Sequence, residues 1–429
     1  MTGRFNLQPL RVAGYRSFLL VSLLAGLSLW VYQPSVEWII LRQTGSTAAV
    51  GFLQTVMILP IALASIPSGV LADRIGPRRM LATSLLGMAS VVAIVGVLGA
   101  TNQLTFEVAV VMTFMLGVFD GLYPVPAQLI LTRLVEPPLL GAAIGLSMLT
   151  SGVSRLIGAP LGGSLLQVAG PGPAFLPAAL GLLVGAALVI SIPLLRPEER
   201  TAGALGLRDV GDSVRWMARE PGAIAVTVLG VAAAVFVLAA GALTPTVTRD
   251  LLHGGSSTLG LLNGAGGIGA ILSAVAMEPL GRRFGRGRLL VASILGSAAG
   301  VAALGFSTVL EVSAVLTLLV AFCSMAFLGV SSLLLQTIAP PRMRGRALAL
   351  YGFAFYGLLP IATSTVGVFA DAFGVTAVLV AMGGLAVAIT AFVAAWSRSL
   401  LATDVGPAGE LLVGGAIVPQ RGREGRGAS

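Results

Sequence analysis

The sequence predicts an all-α membrane protein: twelve transmembrane helices in two pseudo-symmetric six-helix bundles, with both termini cytoplasmic. Three observations carry that prediction: an apolar composition, apolar runs of membrane-spanning length, and an internal repeat. Of 429 residues, 56% are hydrophobic and only 10% are charged. A soluble domain carries about 25% charged residues, so this chain does not present an ordinary surface to water. Spans of roughly 20 to 25 residues joined by short loops place about twelve helices in this length, with no room for a separate soluble catalytic domain. Cys323 is the only cysteine and His253 the only histidine. That excludes a disulfide framework, a Cys/His zinc site, bis-His haem ligation and a Ser-His-Asp triad, so neither an enzyme nor a metal or cofactor is expected.

In chain order the apolar runs fall near 17–41, 47–71, 80–100, 105–134, 142–168 and 174–195, then near 222–248, 256–280, 288–307, 310–338, 345–370 and 375–397. Short Arg, Gly and Pro clusters separate them. Residues 1–195 therefore read as the first bundle, 196–221 as a polar cytoplasmic central loop, 222–397 as the second bundle and 398–429 as a flexible, Gly-rich cytoplasmic tail. The first run is too long, and lacks the small-residue cleavage site, for a removed signal peptide.

The net charge of +9 would suggest a nucleic-acid partner in a soluble protein, but here the distribution of charge assigns it to topology. Every basic residue is an arginine, and all but Arg42, Arg155 and Arg249 fall on the N-terminus, alternate connections, the central loop and the tail. Short Arg-rich loops stay on the cytoplasmic side, which places both termini there. Arginine keeps its proton in proteins, so a proton carrier in this chain must be a carboxylate or the single histidine.

A gapless shift of 209 positions places Gly51 on Gly260, Leu71 on Leu280, Arg74 on Arg283, Gly76 on Gly285, Arg79 on Arg288 and Ser84 on Ser293. Two six-helix halves related by duplication are the architecture of a secondary transporter, whose substrate site lies near the midplane between them.

Between the second and third spans stands Gly69-Val70-Leu71-Ala72-Asp73-Arg74-Ile75-Gly76-Pro77-Arg78-Arg79-Met80-Leu81. Gly69 permits close helix approach, Asp73 is an anion suited to a helix N-terminus, and Arg74, Arg78 and Arg79 hold the cytoplasmic side. The segment resembles the G-x-L-A-D-R-x-G-R-R-x-x-L signature of the major facilitator superfamily, with Pro77 where that family usually has a basic residue. The repeat-related copy carries Arg282 in place of the aspartate. The resemblance implies that Asp73 latches the halves on the inner side, near Arg344 to Arg346 at the start of the eleventh span.

In the fifth span, Gly158-Ala159-Pro160-Leu161-Gly162-Gly163 is similar to the superfamily's antiporter motif G-P-x-x-G-G, one residue out of step. Its chemistry is a Gly/Pro bend that presses this helix against its neighbours, and a plain packing motif is the competing reading. Pro124-Val125-Pro126-Ala127-Gln128 and Arg344-Gly345-Arg346, together with Ser22 to Gly26 and Leu59-Pro60, resemble the exporter branch containing enterobactin exporters and macrolide-efflux proteins.

Two opposite charges fall within spans. Asp120 lies roughly 22 Å along its helix from Thr105, and Arg155 roughly 21 Å along the next from Gly141, so both reach mid-membrane and are expected to pair. An intramembrane ionisable residue is functional by default, here as a proton-coupling site, with a static strut as the alternative. Glu37, near the outer mouth of the first span, is either a second proton site or an interfacial anchor. Gln54 and Asn263 correspond under the repeat, as do Gln128 and Gln336 under a shift of 208, and suit either a cavity lining or interhelical hydrogen bonds. Gly264-Ala265-Gly266-Gly267-Ile268-Gly269 satisfies G-x-G-x-x-G but sits inside a span with no preceding strand, so nucleotide binding is not implied.

These readings converge on a monomeric, proton-coupled antiporter in the cytoplasmic membrane, exporting a bulky amphipathic small molecule such as a drug, siderophore or other secondary metabolite. Its partners would be substrate, protons and membrane lipid, with no nucleic acid. An importer or lysolipid flippase of the same fold, and a non-transporting receptor, are the alternatives. The orientation has a direct check: a fluorescent protein fused after Ser429 should fluoresce in cells while a C-terminal alkaline phosphatase fusion stays inactive, and the reverse result would invert the topology.

Overall fold

The computed structural model describes residues 7–192, 214–340 and 343–397, together with 403–405, 411–413 and 416–417. The helices are α1 (Ala13–Thr44), α2 (Thr47–Ile75), α3 (Pro77–Ala100), α4 (Phe106–Leu134, broken after Gly121), α5 (Leu140–Ala169) and α6 (Pro171–Ile190). The second set is α7 (Pro221–Leu251), α8 (Ser256–Phe284), α9 (Arg286–Leu304), α10 (Leu310–Ile338), α11 (Arg344–Phe373) and α12 (Val375–Trp396). Among the described residues, eleven are long and apolar enough to cross a membrane, and α2 contributes the shorter apolar stretch Thr47–Ile61.

Helix ends follow local chemistry. Ser46 caps α2 by accepting from the Ala49 amide, and Thr105 caps α4 by accepting from that of Val108. Pro77, Pro171 and Pro221 open their helices, where a missing N–H costs nothing. The sharp α2–α3 and α8–α9 corners turn on Gly76 and Gly285, with φ of 85° and 83°, a region closed to most side chains. These two glycines are repeat mates, so the duplication is visible in backbone conformation as well as in sequence.

α4 breaks because Pro124 has no N–H to give the Asp120 carbonyl. Tyr123 N takes that carbonyl over at 3.0 Å, while the Phe119 carbonyl accepts from Leu122 N and from the Ser84 hydroxyl of α3. The Asp120 and Phe119 carbonyls thus keep partners where the helix turns. α7 is wound unevenly, with π turns at Ala234–Leu238 and Val247–Leu251 on either side of a tight Ala239–Leu243 turn that precedes Pro245.

A core cluster built around Tyr15, Tyr32, Leu85, Leu116 and Phe175 runs through residues 15–192, and two further clusters, around Leu229 with Phe327 and Leu243 with Val366, lie in the second half. A tyrosine and a serine hydroxyl in the first core bond across helices: Tyr15 donates to the Ala143 carbonyl at 2.7 Å and Ser28 to that of Ala178 at 2.7 Å. Val168, Ile190, Phe353 and Phe392 are largely exposed, as a surface facing hydrocarbon requires. The last turn of the expected central loop packs Trp216 and Met217 against the second-half core, while residues 193–213 lie outside the described ones.

Of the tail expected to be flexible, residues 403–405, 411–413 and 416–417 are described, and the rest lies outside the described residues. Thr403–Val405 (β1), Leu411–Val413 (β2) and Ala416–Ile417 (β3) form an antiparallel sheet, with Thr403 opposite Val413 and Leu412 opposite Ile417, and β1 packs against α9 and α10.

Close approach of α2 and α4 depends on Gly117, where any side chain would overlap the Met57 carbonyl. Gly117→Ala should therefore cost about 1–3 kcal/mol, read as a lowered Tm of the purified protein. Gly384→Ala, at a site with nothing within 4 Å, should leave Tm unchanged or slightly raised.

Candidate functional site: a mid-depth cavity and two seams

The bend in α4 presents Asp120 to a cavity of about 360 Å³ lined by α1, α3, α4 and α5. From Asp120, Leu29 and Ser151 at mid-depth, it extends to Phe18, Leu131 and Ser147, toward the side where the termini lie. Tyr123 also lines it, and donates its hydroxyl to Ser22 at 3.3 Å. Among the described residues Asp120 is its only carboxylate, and no arginine lines it.

The expected Asp120–Arg155 pair is not formed. Arg155 leans away from α4 toward α8, donating through Nε to the Asn263 carbonyl at 3.0 Å and through Nη2 to Asn263 Oδ1 at 3.4 Å, with its guanidinium 4.5 Å above the Trp30 ring. Among the described residues Asp120 belongs to no ion pair. Rise per residue gives position along a helix, but side-chain direction depends on which face each helix turns to its neighbour, and α5 turns Arg155 to α8. Gly266 makes room for the guanidinium, since any side chain there would strike it.

Glu37 is not an interfacial anchor either. It is 7% exposed, and its Oε1 accepts from Gln33 Nε2 at 3.2 Å and Gln54 Nε2 at 3.0 Å beside a small void that Tyr32, Met57 and Thr113 also line. The repeat-related polar residues have diverged: Gln54 serves a carboxylate within its own half, whereas Asn263 serves an arginine across halves. Gln128 lines the main cavity, while Gln336 is exposed on α10 and is not brought to it.

The fifth-span motif builds two contacts at once. Gly158 and Gly162 bring the α5 backbone against Leu27 and Val31 of α1, Gly163 lies on the Ser256 carbonyl of α8, and Pro160 packs on Gly264. Toward the termini the α5–α8 seam parts: Gly145, on the same face two turns from Gly152, meets nothing within 4 Å, and Val275 of α8 is half-exposed. The bundle is thus closed on the side away from the termini and open on the side that carries them. Of the loop motif, Gly69 and Asp73 lie on α2, Arg74 and Arg79 are exposed and Arg78 is half-buried, while the Asp73 latch lies outside the described side chains.

Asp371, at the far end of α11, was not singled out by the sequence reading. Its Oδ1 accepts from Thr47 N at 2.7 Å, and its Oδ2 from Ala48 N at 3.0 Å and Ser46 Oγ at 2.7 Å. A signal for it existed: Gly367-Val368-Phe369-Ala370-Asp371-Ala372-Phe373-Gly374 repeats the spacing of Gly69, Ala72, Asp73 and Gly76.

Among the described residues, twelve helices in two repeat-related halves, closed at one end and holding at mid-depth a largely apolar cavity with one carboxylate in its wall, define a secondary transporter of the major facilitator class. The chain belongs to the family described as transmembrane secretion effector, which it matches over residues 5–408. It is 27% identical over 346 residues to an enterobactin exporter of Citrobacter koseri, covering 77% of this chain and 79% of that one. It is 24% identical over 379 residues to the multidrug efflux pump Tap of Mycolicibacterium fortuitum, covering 85% and 91%. The match to a multidrug resistance protein, MdtG of Serratia proteamaculans, is 30% identical over 254 residues and spans 59% of that relative. Among solved structures, a point mutant of the nucleoside transporter NupG superposes with a TM-score of 0.71 at 13% identity, over 90% of this chain and 100% of that one. A D-xylose-proton symporter superposes with 0.66 at 20% identity, over 88% and 97%; at such identities the likeness is one of fold. These relatives and neighbours are transporters rather than enzymes, and the chain is an integral membrane protein, in bacteria a protein of the cell membrane.

The geometry separates Asp120 from Arg155 energetically. The stability effects of Asp120→Asn and Arg155→Gln should add to within about 0.5 kcal/mol in the double variant, while Arg155→Gln and Asn263→Ala should show coupling above that level. Strong coupling of the first pair would restore the ion pair.

Proposed function

We propose that this protein is a proton-coupled antiporter that exports a bulky amphipathic small molecule, a drug, siderophore or other secondary metabolite, across the cytoplasmic membrane by alternating access. The observation that carries the reading is Asp120: a carboxylate without an ion-pair partner among the described residues, lining a cavity that extends toward the arginine-rich side. A charge held at mid-membrane without a partner is costly, so Asp120 favours either a proton or a positively charged group. That is the differential interaction exchange requires, because the bound partner can differ between the two facing states. The all-acidic charge of the lining favours cationic or neutral substrates over anions.

The remaining residues support this cycle. The conformation described is the inward-open stage if the termini are cytoplasmic: substrate enters from the arginine-rich side while Gly158, Pro160, Gly162 and Gly163 let α5 seal the opposite side. Arg155, tied to Asn263 at mid-depth, acts as a joint between the halves and not as the counter-ion of Asp120. Glu37, held by two amides, is the second proton-carrying candidate. Gly69, Asp73, Gly76 and the arginines 74, 78 and 79 form the inner latch of the opposite, outward-facing state. The similarity to an enterobactin exporter and a multidrug efflux pump supports the outward direction.

The test is transport in proteoliposomes with a fluorescent cationic amphiphile such as ethidium as probe. Wild-type protein should move the dye against its gradient when a pH gradient is imposed, and Asp120→Asn should abolish this driven movement, by at least tenfold, while retaining dye binding and energy-independent exchange. Driven movement that survives in Asp120→Asn transfers the role to Glu37. Accumulation in the opposite direction identifies an importer, movement of lysolipid alone a flippase, and no movement of any probe a receptor.

A further inference from the structure

The closed side of the bundle is made by two seams that match residue by residue. In α8, positions 256, 257 and 260 stand 209 after positions 47, 48 and 51 of α2, and in α11, positions 363, 367 and 371 stand 204 after positions 159, 163 and 167 of α5. On one seam Gly260 abuts the Ala159 carbonyl, Gly163 lies on that of Ser256, and Ser257 N donates to Gln167 Oε1 at 3.1 Å. On the other Gly51 abuts the Thr363 carbonyl, Gly367 lies on that of Thr47, and Ala48 N donates to Asp371 Oδ2 at 3.0 Å. In each, the last polar side chain of a helix in one half caps the first turn of a helix in the other.

The two caps differ in charge. Gln167 is neutral, whereas Asp371 is an anion taking three donors from Ser46, Thr47 and Ala48, at a helix end that favours negative charge. A second contact grips the same connection: Arg249 of α7 donates through Nη1 to the carbonyl of Gly45 at 3.0 Å, at the C-terminal end of α1, where positive charge is favoured. Arg249 is also paired with its neighbour Asp250, so it remains oriented while it makes this contact. The short α1–α2 connection is therefore held from the other half by an anion at one helix end and a cation at the adjacent one.

We propose that Asp371 is the ionic member of a cross-bundle lock on the side away from the termini, with Gln167 as its neutral counterpart and Arg249 as a second grip, and that releasing Asp371 from α2 is required to open that side. The lock rests on the reading that the two halves alternate. It is tested by pulsed electron-spin distance measurement in a Cys323→Ser background carrying spin labels at Thr101→Cys and Thr308→Cys, both exposed in connections on the closed side. Wild-type protein should show a short distance and a minor long one. Asp371→Ala should raise the long-to-short ratio roughly five- to thirtyfold, the effect of losing a good helix cap, and Asp371→Asn should raise it less because the amide oxygen still accepts. Gln167→Glu should lower the ratio by making the second cap ionic. Equal ratios in wild type, Asp371→Ala and Gln167→Glu overturn the lock and leave alternation standing. A single distance in wild type, with or without ethidium and a pH gradient, overturns both. Should Asp371→Ala fail to fold, Gln167→Glu decides alone: a lowered ratio supports the lock and an unchanged one overturns it.

Discussion

Backbone-to-backbone contact between the halves is the constraint on which this structure depends. Inside a bilayer no hydrophobic gain drives one helix onto another, because lipid is as apolar as the side chains it would release. Association has to come from close van der Waals contact and from polar groups that find partners. Glycine at positions 51, 163, 260 and 367 allows α2 to meet α11 and α5 to meet α8 at carbonyl distance. Packed interfaces of this kind have discrete arrangements instead of graded ones, which suits a bundle that must be either open or shut at a given end.

The same constraint explains why the ionisable residues in the spans are used so differently. Arg155 sits where the α5–α8 seam is tight, and its Nε and Nη2 donate to Asn263 with the Trp30 ring beneath the guanidinium. Asp120 sits where α4 bends away, because Pro124 cannot continue the hydrogen-bond ladder, and so it is left on a cavity wall. These two groups thus acquire opposite characters, one tied across the halves by hydrogen bonds, the other without an ion-pair partner among the described residues. Glu37 lies between these extremes, buried but served by two amides.

The α4 break was readable in principle, since Pro124 and Pro126 stand in the middle of an apolar run. The destination of the Arg155 side chain was not, because helical rise gives depth while the partner is set by rotation about the helix axis, and rotation is fixed by packing. Asp371 had a readable pattern as well, the spacing of Gly367, Ala370, Asp371 and Gly374. That pattern stands 298 positions after its match in α2, so comparing the two halves at the 209-residue repeat interval does not bring the two segments together. The tail strands were hidden by composition, which averages two apolar runs with the glycines around them.

What the sequence by itself determined is the part governed by local and additive physics: spans from runs of apolar residues, corners from Gly and Pro, and duplication from residues recurring at a fixed interval. Each of these needs only neighbours along the chain or a comparison of the chain with itself. What the tertiary structure alone decided is which charges meet, which end of the bundle is shut, and that Asp371 grips α2 from 324 residues away. Those are contacts between helices whose relative rotation and tilt follow from the simultaneous fit of many small side chains, a collective property that no single segment carries.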